Sequence, residues 1–225
     1  RQFPGFDNAI NRDALCSQIR FSYIPDPYCI YHGFHKLPPA SLISLRSPTD
    51  QPRPQVYWSL RNVIEHGLEH PFTGSETQAI DTFESMLKDA VGLRMISDVP
   101  LGAFLSGGVD SSLIVAMMQK QSARPVRTFT IGFDVAEYNE AHYAKEVATH
   151  LGTDHTEMYV TGKDALDTIP LMPALYDEPF SDYSQIPTYL VCKMARQHVT
   201  VALSGDAGDE LFGGYESYFM GRSLW

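Results

Sequence analysis

From about residue 75 onward the sequence predicts an α/β fold, a parallel β-sheet with helices on both faces. Helical periodicity alternates there with short runs of β-branched and aromatic residues, the pattern of strand-helix-strand units. Two of the predicted strands run into loops rich in glycine, serine and aspartate, residues 106–112 and 204–210. Sheets of this kind bind ligands at the carboxyl ends of their strands. The first 60 residues read differently: Pro25, Pro27, Pro38, Pro39, Pro48, Pro52 and Pro54 leave room for short strands and turns. The expected division is therefore 1–60 and 75–225.

Ile80, Phe83, Leu87, Val91 and Met95 recur at three- and four-residue steps and mark an amphipathic helix. Residues 101–105 read as a buried strand and 111–121 as a helix carrying Leu113, Ile114, Ala116, Met117 and Met118. The next strand is 126–133, rich in β-branched and aromatic residues. Asn139 is placed to cap a helix with Ala144, Val147, Ala148 and Leu151 on one face, and Gly152 to end it. A strand over 156–160, a helix over 186–197 and a strand over 199–203 complete the alternation.

Composition excludes several classes. Hydrophobic residues make up 44% and charged residues 20%, which argues against wholesale disorder. No run approaches the ~18 apolar residues of a membrane span. Three cysteines without a C-x-x-C pair exclude a disulfide scaffold and a cysteine zinc site. Cys16 in a helical pattern, Cys29 in a predicted strand and Cys192 on a helix read as buried, reduced thiols, which suits a cytoplasmic location. The net charge of −10 repels polyphosphate backbones and argues against nucleic-acid binding. Self-association is left open by composition.

The loop Ser106-Gly107-Gly108-Val109-Asp110-Ser111-Ser112 has the chemistry of a phosphate cradle. Gly107 and Gly108 permit close backbone approach, Ser111 or Ser112 offers a hydroxyl, and the next helix presents its positive end. No G-x-x-x-x-G-K-S/T motif occurs, and no Lys or Arg lies between Pro100 and Met118. A triphosphate here would face Asp110 without a local cation, which makes sense with a divalent metal between them. The acidic turn Asp206, Asp209 and Glu210 supplies further carboxylates, and Asp110 and Asp209 are the expected magnesium ligands. The bland alternatives are an ordinary glycine-rich turn with a serine cap and a solvated acidic turn; two such loops in one crevice favour the nucleotide. His142, His150 and His155 form no metal spacing and are expected to pack or face water.

These residues also carry a resemblance. S-G-G-V-D-S-S at 106–112 resembles the pyrophosphatase-type loop of AMP-forming ATP enzymes. With S-G-D-A-G-D-E-L-F-G-G-Y at 204–215, it resembles the synthetase domain of glutamine-dependent asparagine synthetases. F-T-I-G-F at 129–133, H-L-G-T-D-H at 150–155, Y-D-E-P-F-S-D at 176–182 and I-P-T-Y-L at 186–190 match as well. Residues 21–58, with Y-I-P-D-P-Y, K-L-P-P and a Y-W pair, are similar to the end of that family's glutaminase domain and its connector.

The resemblance implies an adenine nucleotide α-hydrolase-like fold preceded by the tail of a glutaminase-type domain. It implies an ATP- and Mg2+-dependent amide synthesis: adenylation of an acidic carboxylate, that of aspartate, then displacement of AMP by ammonia derived from glutamine. By similarity Leu105, Ile131 and Gly132 line the adenine and ribose site, with Phe104 beside them. Ser106, Gly107, Gly108, Asp110, Ser111 and Ser112 hold phosphates, and Ser204 and Gly205 contact nucleotide. Asp206 serves formation of the acyl-adenylate, where the family often has Glu. Glu178, held extended before Pro179, is the expected acceptor-site residue, with Asp177 and Asp182 read as surface acids.

Two departures follow. The family's glutaminase uses an N-terminal cysteine, whereas Arg1 stands first here and Cys16, Cys29 and Cys192 are internal, so no glutamine hydrolysis is expected of this chain. The family's synthetase domain also runs on past the position of Trp225, so the chain is expected to be an internal fragment. Competing readings are a β-lactam synthetase-like or sugar-acid amidotransferase, a non-catalytic nucleotide-binding module, and a purely structural domain. The second acidic loop argues against the last two.

Overall fold

The computed structural model describes residues 5–134 and 139–224; Arg1 and Trp225 lie outside them. In chain order the first elements are α1 (Arg12–Phe21), β1 (Ser41–Leu42), β2 (Gln55–Val56), α2 (Leu60–Glu69) and α3 (Glu76–Arg94). Then come β3 (Leu101–Phe104), α4 (Val109–Gln121), β4 (Arg127–Phe133), α5 (Ala141–Leu151), β5 (Asp154–Val160) and α6 (Gly162–Thr168). The last are α7 (Met172–Leu175), α8 (Gln185–Ala195), β6 (Val201–Leu203), α9 (Gly208–Phe212) and α10 (Glu216–Leu224). Two compact units result, Arg1–Gly74 with Pro170–Tyr183, and Ser75–Ile169 with Ser184–Trp225.

In the first unit, the Asn11 side chain accepts hydrogen bonds from the Asp13 and Ala14 N–H groups and starts α1, which ends at Ser22 in the left-handed conformation. A ten-residue helix here agrees with the helical pattern around Cys16 and corrects the reading of the segment as short strands and turns. No proline lies between Pro4 and Pro25, so the capped stretch 12–21 is free to coil. Ala14, Ile24 and Ile30 form a small core. Residues 170–183, in sequence part of the second segment, are stitched to this unit. The Ser181 N–H donates to the Ser22 carbonyl at 2.6 Å and Gln18 Nε2 donates to Ser181 Oγ at 3.0 Å. The Glu178 carboxylate pairs with Lys36 and accepts from the Ile30 N–H at 3.3 Å.

The second unit is built on a four-stranded, all-parallel sheet in the order β5-β4-β3-β6. Its helices cover both faces. Ala103 and Leu105 point to one face, where Val91 of α3, Val115 and Met118 of α4, and Ala144 and Ala148 of α5 close the core. Phe104 packs on the opposite face with Phe129, Ile131 and Met158, under Met194 and Ala195 of α8 and Val199. Period-two alternation along the strands separates these two cores. The alanines of α5 let that helix lie close to the sheet.

Local signals explain most helix boundaries. Ser75 and Gln78 form a capping box at the start of α3. Helix α5 begins at Ala141 with Glu140 at its N-cap, and Asn139 Oδ1 accepts from the Ala141 N–H at 3.2 Å, so the predicted cap acts from one position further out. Gly152 ends α5 in the left-handed conformation, as its sequence position suggests.

Two expectations need correction. Cys16 and Cys192 are exposed and Cys29 is half-buried, outside any strand. Only Ala14 of α1 is buried, and on α8 Leu190 and Met194 turn inward at an i, i+4 step, which sends Cys192 outward. Helices α9 and α10 went unanticipated because glycines stud residues 205–221 and mask any period.

The strand order places a switch point. From β3 the chain passes through α4 to β4 and through α5 to β5 on one side, while β6 pairs with β3 on the other. The loops after β3 and β6 therefore leave the sheet side by side, at the crevice where open parallel sheets hold ligands.

His155 on β5 does pack, with Nδ1 2.8 Å from Thr128 Oγ1 and a buried Nε2 that has no hydrogen-bond partner among the described residues. Burial holds its pKa below the ordinary histidine value, against the pull of Glu157 and with a further push from Lys145. Below about pH 6.5 the unfolded ring gains a proton that the folded ring resists, so stability falls as pH drops through that value. Denaturant unfolding at pH 7.5 and 5.5 is expected to show this loss, and His155→Gln to reduce it; an unchanged loss in the variant would remove His155 as its source.

Candidate functional site

Within the second unit a cavity of about 390 Å³ opens at the switch point. Its walls are the ends of β3 and β4 (Phe104, Leu105, Phe129, Thr130, Ile131, Phe133), the first loop (Ser106, Asp110, Ser111) and the second loop (Ser204, Gly205, Asp206). Pro187, Thr188 and Val191 of α8, with Glu140 at the N-cap of α5, complete the walls.

Serine hydroxyls shape the first loop. Ser106 Oγ accepts from the Gly108 N–H at 3.2 Å and lies 2.9 Å from Ser111 Oγ, which also accepts from the Ser106 N–H at 3.2 Å. These hydroxyls brace the loop across its own turn. Helix α4 starts at Gly108 with no side-chain cap, so its first-turn N–H groups are not taken up by a capping side chain, and an anion suits them. Gly107 has φ +86°, and a Cβ there would stand 2.6 Å from Tyr143 Cβ and 2.7 Å from the Ala144 nitrogen. The first turn of α5 thus rests on the loop.

The second loop rests on α4. A Cβ on Gly205 would come within 2.6 Å of the Ser111 nitrogen, and one on Gly208 within 2.3 Å of Asp110 Oδ2. Asp206 Oδ2 accepts from Ser204 Oγ at 2.9 Å, and Ala207 turns the chain with φ +73°. Asp209 follows Gly208 directly, and its carboxylate lies against Gly214, where a Cβ would meet it. Glu210 is engaged by the Tyr215 hydroxyl at 2.7 Å, a bond that pushes the Tyr215 pKa up to about 12.

The cavity brings together Leu105, Ser106, Asp110, Ser111, Ile131, Ser204, Gly205 and Asp206 from the residues singled out in sequence, and Phe104 with them. Leu105 is 1% exposed with its side chain in the core, so it meets the cavity through its main chain. Gly107, Gly108, Ser112, Gly132 and Asp209 stand outside the lining. Ser112 Oγ is buried without a hydrogen-bond partner among the described residues, and the bare Cα of Gly132 makes room for Asn139 and the Tyr159 ring. Glu178 lies in the first unit, its carboxylate taken up by Lys36 and Ile30.

Phe129, Thr130, Phe133, Glu140, Pro187, Thr188 and Val191 were missed as site residues. The matched stretches 129–133 and 186–190 contain five of them and held the available signal; nothing local marks Glu140 or Val191.

Three carboxylates, Asp110, Glu140 and Asp206, line the cavity, and no Lys, Arg or His does among the described residues. An apolar end, a braced glycine loop and acids without a cation suit a nucleotide that brings a divalent ion with it. No three His, Cys, Asp or Glu side chains converge on one point among the described residues. That donor set fits Mg2+, which takes one or two carboxylates and draws its other oxygens from phosphate and water.

Gly107→Ala is expected to cost about 1–3 kcal/mol, because backbone conformation and neighbours both refuse a side chain. At Gly108, φ is −69° and the nearest atom to a Cβ is Ser106 Oγ at 3.3 Å. Gly108→Ala should therefore cost less than about 1 kcal/mol. Thermal unfolding of the two variants tests the ranking.

Comparison with known proteins matches residues 82–225 to the asparagine synthase family. A Methanocaldococcus jannaschii protein provisionally named glutamine-hydrolyzing asparagine synthetase 2 is 39% identical over 216 residues, 96% of this chain and 40% of its own length. Glutamine-hydrolyzing asparagine synthetase 1 of Bacillus subtilis is 33% identical over 218 residues, 97% of this chain and 33% of its own. The chain thus spans about a third to two fifths of these relatives. An NH3-dependent NAD synthetase of Campylobacter jejuni overlaps 60% of each chain at 12% identity and a TM-score of 0.42, too distant to bear on fold or function. No helix among the described residues is long and apolar enough to cross a membrane.

Proposed function

The chain belongs to the asparagine synthase family, and on that premise we propose that it binds MgATP for an ATP-dependent amide ligase. The observation that carries this is the cavity at the switch point: two loops from neighbouring parallel strands, walled by carboxylates and lacking a cation. Its apolar end, formed by Phe104, Ile131 and the Leu105 main chain, accepts the adenine, and the α4 N-terminus faces the phosphates. Asp110, with Asp209 next to the abutting Gly208, holds magnesium, which neutralises charge on the phosphates.

The reaction is activation of an acidic side chain, that of aspartate. A carboxylate oxygen attacks the α-phosphorus of ATP, and the bond from that phosphorus to the pyrophosphate oxygen breaks. Ammonia then attacks the activated acyl carbon, the bond to the AMP oxygen breaks, and the amide remains. The free carboxylate is a poor electrophile, and AMP makes its oxygen a leaving group. The loop N–H groups stabilise charge developing on pyrophosphate. Asp206 at the cavity wall serves the adenylation step.

The names of the relatives point to glutamine as the source of ammonia. Residues 1–60 lie ahead of the part that matches the family and read as the end of a glutaminase-type domain with its connector. Glu178, tied to Lys36, serves in positioning residues 170–183.

Calorimetry of ATP binding with and without magnesium tests this reading. Binding is expected to require magnesium. Asp110→Ala should weaken it by about tenfold or more, since losing a ligand costs no less than losing an outer-shell partner. Binding indifferent to both would sink the metal assignment and favour a non-catalytic nucleotide module.

A further inference from the structure

Helix α2 ends on a pair of histidines that the amide-ligase chemistry leaves unused. Its last turn and C-cap run His66-Gly67-Leu68-Glu69-His70, and both imidazoles are exposed. Residues four apart stand one above the other on a helix face. Here the two ring centroids are 4.4 Å apart, with the planes tilted by 31°. The His66 carbonyl meets His70 twice: the backbone N–H donates to it at 2.9 Å, and Nδ1 lies 3.1 Å from it.

That second contact decides what His70 can offer. A carbonyl oxygen only accepts, so in this hydrogen bond Nδ1 carries the proton and Nε2 keeps its lone pair. Metal-binding histidines are held in the same way, the nitrogen that does not ligate donating to a carbonyl or carboxylate. His70 is thus set in the tautomer of a ligand, and His66 is its neighbour one turn back, the spacing in which two imidazoles share a metal ion. Zn–N bonds of about 2.0–2.1 Å at a tetrahedral angle need the two nitrogens about 3.3 Å apart. Rings already in contact reach that separation by side-chain rotation. Glu65 and Glu69 flank the pair, and no Lys or Arg occurs from residue 62 to residue 70, so the local charge favours a dication. No third His, Cys, Asp or Glu converges on the two rings among the described residues, which leaves the other coordination positions to water.

We propose that His66 and His70 chelate a divalent transition-metal ion, of the Zn2+, Ni2+ and Cu2+ class, across the last turn of α2. Imidazole nitrogens suit these ions, whereas Mg2+ takes oxygen donors. The site therefore stands or falls independently of the nucleotide reading.

Calorimetric titration with Zn2+ and with Cu2+ tests it on the wild-type pair, His66→Asn, His70→Asn and the double variant. Excess Mg2+ is present throughout to fill oxygen sites, and the exposed Cys16 and Cys192 are changed to serine in all four proteins to remove competing thiols. One ion per chain is expected, with Cu2+ bound more tightly than Zn2+. Each single substitution should weaken binding by about tenfold or more, since losing a ligand costs no less than losing an outer-shell partner. Electron paramagnetic resonance of the Cu2+ complex should show two imidazole nitrogens in the wild-type pair and one in each single variant, a signature that a folding defect does not produce. Affinity in the double variant equal to that of the wild-type pair overturns the proposal. A single variant that binds as tightly as the wild-type pair overturns it too, because no chelate then exists. One ion per two chains overturns it in favour of a site shared between copies.

Discussion

The abutment of the second loop on the first turn of α4 governs the rest of the site. Gly205 and Gly208 stand so close to Asp110 and Ser111 that neither could carry a Cβ without something moving. This closeness follows from β6 pairing with β3, which sends two loops out of the sheet at one edge. It joins residues nearly a hundred positions apart into one wall. Ala207, a residue other than glycine in the left-handed region, is the local strain accepted to make the turn. A side chain at either glycine would push the loops apart and open the wall at Asp110.

From that packing comes the electrostatic character of the cavity. The loops bring carboxylates and main-chain N–H groups and no basic side chain. The N–H groups favour anions, and the carboxylates oppose them unless a cation intervenes. Under the proposed MgATP reading, the divalent ion would supply the positive charge that lets a nucleotide enter a site built of acids. The serine hydroxyls of the first loop, at Ser106 and Ser111, mainly hold its shape. Binding groups are in this way supplied by the backbone and kept in place by side chains.

The asparagine synthase family assignment and the two-unit structure meet in residues 170–183. This segment leaves the sheet unit after α6 and is held in the first unit by the Lys36–Glu178 pair and by the hydrogen bonds of Ser181 with Ser22 and Gln18. It rejoins the sheet unit at Ser184, just ahead of α8, whose Pro187, Thr188 and Val191 line the cavity. Glu178 was legible as an unusual acid before a proline, yet its partner lies 142 positions away in sequence, and local sequence carries no trace of it.

What the sequence by itself determined was the class of fold, the two glycine-acid loops and the chemistry that they suit. These depend on local rules: period-two and helical spacing, cap residues such as Ser75 and Gly152, and glycines at strand ends. The prolines after α1 dominated the reading of its segment although Cys16 stood in a helical pattern, and α9 and α10 were missed because glycines hid their period. Tertiary structure alone decided which named residues reach the cavity. It set Gly107 and Gly132 close against neighbouring side chains, left Asp209 beside the cavity lining, buried the Ser112 hydroxyl, turned Cys16 and Cys192 to the surface, and brought in Thr130, Thr188 and Glu140. The reason is physical. A residue's type fixes what it can bond to, whereas strand order and the closeness of two loops, set by packing between distant segments, fix what it meets.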